Sequence, residues 1–263
     1  MPMKFAPVHA QVENLKIEIY SDGAALGEAA AQAAAEEMRS LGKQYEQFAV
    51  IFATGASQLA TLDALTAKQD LPWSRMTGFH MDEYIGIAPT HPASFRRYLR
   101  ENLISKVPLK KFHEIDGTVG DVAALCRSYG EALRQAAPRL CLFGIGENGH
   151  LAFNDPAEAD FNDPVDVKVV HLDEACRIQQ AGEGWFESPE AVPSSAISVT
   201  IPALLRTPRL ILSVPGPRKA AIIQRILTEP ISTQYPATIL RRHPNATLYL
   251  DRDSAAEVLS MFA

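Results

Sequence analysis

Two segments of this 263-residue chain carry the residue types of proton-transfer chemistry. The first, His80-Met-Asp-Glu-Tyr-Ile-Gly86, places adjacent carboxylates at the end of an apolar stretch. Neighbours on an extended chain point to opposite faces, so Asp82 and Glu83 cannot both face one site, and one of them is the candidate base. The second, GIGENGHLAFNDP from Gly144 to Pro156, has Gly144, Gly146 and Gly149 at G-x-G-x-x-G spacing, followed by His150. A dinucleotide fingerprint needs its third glycine to open a helix, with an acidic residue ~20 positions further on. Here Pro156 and the Asn-Asp before it leave room for one turn at most, so that reading fails. What the glycines, Gly146 among them, provide is close backbone approach to a ligand. His150 sits at its edge as a proton shuttle near neutral pH, with Asn148 and Asp155 nearby to orient the imidazole.

Two further loops suit an anion. In Ala53-Thr-Gly-Ala-Ser57, backbone N–H groups at a helix start, including those of Ala56 and Ser57, join the hydroxyls of Thr54 and Ser57 and are unobstructed at Gly55. A plain strand-to-helix turn with a serine cap has the same pattern. The loop Val214-Pro-Gly-Pro-Arg-Lys219 favours the anion: Arg218 and Lys219 open the following helix, where the helix dipole disfavours a cation unless an anion is bound.

The elements that must hold these loops alternate. Leu15 to Tyr20 reads as a strand, and Ser21 can cap a helix whose apolar face is Leu26, Ala30, Ala34, Met38 and Leu41. FAVIFATG is followed by SQLATLDALTAK, MTGFHMDEY by a helix after His91-Pro-Ala-Ser, a helix from Val119 to Ala136 by LCLFGIG, and RLILSVPG by PRKAAIIQRIL. Continuous apolar runs between amphipathic helices predict an α/β fold: a single doubly wound, Rossmann-like, mostly parallel sheet with helices on both faces. Ligands of such sheets sit outside the carboxyl ends of the strands, where all four loops fall. Residues 1–14 are expected to be a loose arm and 15–263 one domain, since no linker or repeat divides them.

Composition narrows the partner. A net charge of −6 with scattered cations leaves no footprint for nucleic acid or an acidic membrane surface, and a small molecule fits better. No apolar run approaches the ~18 residues of a membrane helix. Cys126, Cys141 and Cys176 lack C-x-x-C spacing and read as buried, reduced thiols of a cytoplasmic protein.

The segments T-G-A-S, M-D-E-Y-I-G, H-P-A-S-F, G-I-G-E-N-G-H-L-A-F-N-D-P, V-P-G-P-R-K-A and, near the end, P-A-T-I-L-R-R-H followed by Asp251 resemble the glucosamine-6-phosphate deaminase (isomerase) family over about residues 15 to 255. The related 6-phosphogluconolactonases continue G-H-T-A-S-L-F-P, whereas this chain continues G-H-L-A-F-N-D-P, closer to the deaminases. The resemblance implies that Asp82 moves a proton between C2 and C1 of the opened amino sugar as the amine leaves. It implies that His150 opens the ring with Asn148 and Asp155 as its partners, and that Thr54, Gly55, Ser57 and Lys219 hold the 6-phosphate. Glucosamine 6-phosphate and water would become fructose 6-phosphate and ammonia, with no metal or organic cofactor.

This chain departs from the family pattern at Asn148, where an acid is common, at Asp155, where Glu is common, and at Thr200, where glycine stands. The expected lid, about residues 160–186, lacks the arginine that closes over the phosphate, and Arg177 is the nearest cation. The sugar is therefore more open than the reaction class. A lactonase-type hydrolase, an isomerase of another 6-phosphosugar such as galactosamine 6-phosphate, and a non-catalytic sugar-phosphate sensor are the alternatives. The chain stops soon after its last strand, without the extension that the resemblance associates with regulated hexamers, so hyperbolic kinetics and a monomer or small homo-oligomer are expected.

Overall fold

Strands buried at every position can exist only where both faces of a sheet are covered, and Phe48–Phe52, Leu140–Phe143 and Ala246–Asp251 are of this kind. A computed structural model, described for residues 5–182 and 184–262, shows how they assemble. Residues 1–4 of the expected arm, Glu183 of the expected lid and Ala263 lie outside the described residues. The strands are β1 (Val8–Val12), β2 (Leu15–Tyr20), β3 (Phe48–Phe52), β4 (Met76–His80), β5 (Asp82–Tyr84), β6 (Lys111–His113), β7 (Leu140–Phe143), β8 (Val167–His171), β9 (Ser195–Val199), β10 (Arg209–Val214) and β11 (Ala246–Asp251). The α-helices are α1 (Gly23–Gln44), α2 (Ala56–Thr66), α3 (Phe95–Leu99), α4 (Val122–Ala136), α5 (Glu174–Gly182), α6 (Ile201–Leu205) and α7 (Ala220–Thr228).

The large sheet has the order β1-β2-β11-β10-β7-β3-β4-β6 and is parallel except for β1, as expected of a doubly wound α/β fold. Its order reverses between β3 and β7: from β3 the chain builds outward through β4 and β6, then returns to β7 and builds the other way. Alternate residues of β3 serve opposite cores. Phe48, Val50 and Phe52 pack with α1 and α2, while Ala49 and Ile51 face the side carrying α4 and α7.

Three expectations are corrected. Residues 8–12 of the expected loose arm form the edge strand β1, paired antiparallel with β2 from Val8↔Ile19 to Val12↔Leu15. Asp22, not Ser21, caps α1: its Oδ1 accepts from the N–H of Ala25 at 2.9 Å, while Ser21 Oγ donates to Asp22 Oδ2. Asp22 directly precedes the first helical residue, and Ser21 is one position too early. The sheet is also not single. A second, antiparallel sheet of order β5-β9-β8 stands beside it over a core that includes Tyr84, Phe153, Val170 and Val192. Its strand β5 follows β4 after one residue, so the chain leaves the parallel sheet at Met81 and Asp82.

Candidate active site

A cleft of about 320 Å³ opens over the carboxyl ends of β3, β4, β7 and β10, at the point where the strand order reverses. Asp82, His150, Gly146, Thr54, Gly55, Ala56, Ser57 and Lys219 all line it. The structure thus brings these expected residues together.

The switch from one sheet to the other separates the two adjacent carboxylates. Asp82, 7% exposed, faces the cleft, and its Oδ1 has no hydrogen-bond partner among the described residues. Burial, then the neighbouring Glu83, pushes its carboxyl up to about 8. Glu83 points the other way and is fully buried. Its Oε1 accepts from the N–H groups of Tyr84 and Phe95, and its Oε2 accepts from Ser94 Oγ and the N–H of Arg96, both at 2.9 Å. Arg96 Nε lies 3.5 Å from the same oxygen. Glu83 therefore pins the start of α3 to β5, and Asp82 is the carboxylate of the pair that faces the cleft. His80, two residues before Asp82, is buried within the fold, and burial followed by the charge of Arg96 lowers it to about 3, so it is neutral.

The glycine loop after β7 folds back on itself. Gly149 takes φ +88, Gly149 N–H donates to the Gly146 carbonyl at 3.0 Å, and Leu151 bridges Asn154. No helix follows until Glu174, so the loop is not a dinucleotide cradle. The glycine at 146 admits the histidine itself: a Cβ there would stand 2.2–2.4 Å from three atoms of the His150 ring. His150 Nδ1 lies 2.8 Å from Asp155 Oδ1, and Asp155 is fully buried. Asn148 closes the arrangement, donating from Nδ2 to Asp155 Oδ1 at 2.9 Å and accepting the His150 N–H on Oδ1 at 3.0 Å. Burial raises the Asp155 carboxyl, but the His150 charge and the hydrogen-bonding groups of His150, Asn148 and Cys176 outweigh it and hold it below the usual range. Asn148 and Asp155 thus stand behind the cleft wall and touch it through His150.

The far end of the cleft is cationic. Gly55, at φ +94, precedes α2 and offers no side chain to the first-turn N–H groups of Ala56 and Ser57, which stay available to a ligand. Tyr98 Oη donates to the Gly55 carbonyl at 2.9 Å and fixes the turn. Opposite stands the loop after β10, where Gly216 N–H donates to the Asp251 carboxylate at 3.0 and 3.1 Å and presents Arg218 and Lys219. Two cations and a helix N-terminus facing one volume suit an anion.

Arg177 does not reach this corner. It is absent from the lining, and its Nε donates to the Pro189 carbonyl at 3.0 Å, because it faces away from the buried side of α5. Arg218 stands at the cleft instead, its Nε 3.3 Å from Glu147 Oε1. Gln179 and Gln180 also line the cleft and were not singled out from the sequence. Their signal was present: both are polar and share a helical face with Cys176 at spacings of three and four.

A description covering glucosamine-6-phosphate isomerases and 6-phosphogluconolactonases matches residues 21–249. A glucosamine-6-phosphate deaminase of Exiguobacterium sp. is 35% identical over 212 residues, 80% of each chain. One from Lactobacillus delbrueckii subsp. bulgaricus is 31% identical over 246 residues, 92% of this chain and 99% of the relative. A solved monomeric glucosamine-6-phosphate deaminase matches with a TM-score of 0.82 at 26% identity, covering 92% of this chain and 99% of its own. The 6-phosphogluconolactonase of Trypanosoma brucei, at 18% identity and a TM-score of 0.76 over 95% of this chain and 99% of its own, shares the fold. With its glycine loop, its buried acid and its anion corner in one cleft, the chain belongs to the family of glucosamine-6-phosphate isomerases and 6-phosphogluconolactonases.

Proposed function

We propose that this protein is an amino-sugar phosphate deaminase that converts glucosamine 6-phosphate and water to fructose 6-phosphate and ammonia. One observation carries the reading: the cleft holds two separate proton-transfer groups, Asp82 and His150, beside one anion corner. Hydrolysis of a lactone needs one base to activate water, whereas an aldose-to-ketose shift with ring opening needs two groups with different tasks.

The 6-phosphate lies between the start of α2 and Lys219, with Arg218 close by. Binding energy from this remote end positions the reacting carbons. His150, backed by Asp155, takes the C1 hydroxyl proton and gives it to the ring oxygen as the bond from C1 to the ring oxygen breaks, leaving the open-chain aldehyde. Asp82 as carboxylate then takes the proton from C2 and returns it to C1 while a proton of the amine passes to the C1 oxygen, giving the 2-imine. Water adds to C2, and the C2–N bond breaks to release ammonia and leave the ketone. Atoms balance with no oxidant or reductant. The likeness to a monomeric deaminase supports a monomer or small homo-oligomer.

The test follows ammonia and fructose 6-phosphate together from glucosamine 6-phosphate, with Asp82→Asn as control. Equal release of both products, lost in the variant, is the expected result. Release of neither, with thermal stabilisation by the sugar phosphate intact, would sink the deaminase reading and turn the assay to 6-phosphogluconolactone and galactosamine 6-phosphate.

A further inference from the structure

Helix α5 turns Cys176, Gln179 and Gln180 inward, leaving them 1%, 8% and 6% exposed. Asp173 Oδ1 accepts the Cys176 N–H at 2.7 Å and fixes the first turn. Gln179 Oε1 accepts from the N–H of Glu147 at 3.0 Å, and Tyr84 Oη donates to Gln180 Oε1 at 2.7 Å. One helix face is therefore seated on both the loop that carries His150 and the strand that carries Asp82.

Cys176 reaches deeper than either glutamine. Its Sγ, an Asp155 carboxylate oxygen and a His150 ring nitrogen all lie within 4.8 Å of one another, and all three residues are buried. Asn148 and His150 crowd onto Asp155 Oδ1, whereas Asp155 Oδ2 has no aligned donor. A buried carboxylate oxygen without a donor is costly, and the S–H proton, free to rotate, is the group beside it that can serve. Burial, then the Asp155 charge, pushes the thiol far above its ordinary range, so it keeps its proton and acts as a donor rather than a nucleophile.

We propose that Cys176 is a positioning residue that acts on His150 through Asp155: its S–H supplies a donor to the second oxygen of the buried carboxylate, beside Asn148 and His150 on the first, and moderates that carboxylate's hold on the imidazole. The role rests on the proposed use of His150 in ring opening. A carboxylate whose second oxygen also accepts a hydrogen bond stabilises the imidazolium less than one held by Asn148 and His150 alone, and the ring can then both give and take a proton. A thiol donates more weakly than a hydroxyl, so it shares the charge without neutralising it.

Charged groups facing this cluster are Asp82 on β5, Glu147 on the loop of His150, Asp173 before α5, Arg218 and Lys219 across the cleft, and Asp251 at the end of β11. Substitution at Cys176 leaves all of these in place. The experiment compares the wild type with Cys176→Ala and Cys176→Ser by NMR titration of the His150 imidazole in the ligand-free protein, and by kcat and KM for glucosamine 6-phosphate.

In Cys176→Ala, with the donor gone, the His150 imidazole should titrate higher than in the wild type. Its kcat should fall about five-fold while KM moves less than about two-fold. Cys176→Ser, which restores a donor, should return both toward the wild type. An unchanged or lowered His150 titration in Cys176→Ala, or a Ser variant that behaves like Ala, would overturn the role. Should the wild type not turn over glucosamine 6-phosphate, the proposed function fails by itself, and the titration still decides the part played by Cys176.

Discussion

Asp82 and Glu83 differ by one position and have opposite tasks, because β5 directs one into the cleft and the other into the protein. For Asp82 burial is the dominant perturbation, and a carboxyl lifted from 3.8 to about 8 is a base in waiting. Its carboxylate form grows as pH rises through about 8, so kcat/KM should climb along that limb in the wild type. Asp82→Asn should lose about 10²–10⁴ of kcat and the limb with it. The same shift predicts a stability effect. Between 3.8 and about 8 the native state holds a proton that the unfolded chain has released, so this group's contribution is present at low pH and fades as pH rises through about 8. Asp82→Asn should therefore raise Tm relative to the wild type, by more at pH 8 than at pH 4; an equal difference at both would show that Asp82 is not held neutral. Gly146→Ala places a Cβ 2.2–2.4 Å from imidazole atoms, so activity should collapse while the circular dichroism spectrum stays native.

At the scale of elements, the short helix α3 depends on one acid. Glu83 satisfies the N–H groups of Phe95 and Arg96 and the Ser94 hydroxyl, groups that a helix start cannot satisfy internally. Removing it leaves the guanidinium of Arg96, 3% exposed, short of its buried carboxylate partner, although Asp116 still pairs with it at 2.6 Å. Glu83→Ala should cost about 3–5 kcal/mol in a urea melt, the range for breaking a buried ion pair. A loss below about 1 kcal/mol would mean that Asp116 alone holds the arginine. Helix α2 is positioned by the same neighbourhood, since Tyr98 on α3 holds the Gly55 carbonyl, so a loosened α3 should also weaken phosphate binding.

The whole molecule places its cleft where strand order reverses, with the proposed anion corner supplied by the loops after β3 and β10 and the proposed proton-transfer groups by β5 and the loop after β7. A ligand that ties these together stabilises the native state by mass action, about 2.7 kcal/mol at one hundred times Kd. Glucosamine 6-phosphate should therefore raise Tm where glucosamine does not. Lys219→Met should abolish most of that shift and raise KM, with a smaller fall in kcat because the phosphate contact also positions the reacting carbons. A large fall in kcat at constant KM would place Lys219 in the chemistry instead. No helix among the described residues is long and apolar enough to cross a membrane.

The alternation of apolar runs with amphipathic helices determined the α/β class, because each buried parallel strand needs an apolar stretch and each covering helix a periodic face. The spacing around Gly144, Gly146 and Gly149, broken by Pro156, was enough to exclude a dinucleotide, since chain geometry there is local. The sequence could also say that Asp82 and Glu83 face apart, because that follows from the pleat alone. Which of them faces the cleft was decided by the second sheet, whose pairing of β5 with β9 depends on residues more than a hundred positions away. The docking of α5 hid Cys176, Gln179 and Gln180, and let Arg177 look like a ligand: a helix carries its face on the page, but what that face meets depends on how it is docked. Long-range packing is a property of the folded chain, and only the tertiary structure could set Cys176 beside Asp155.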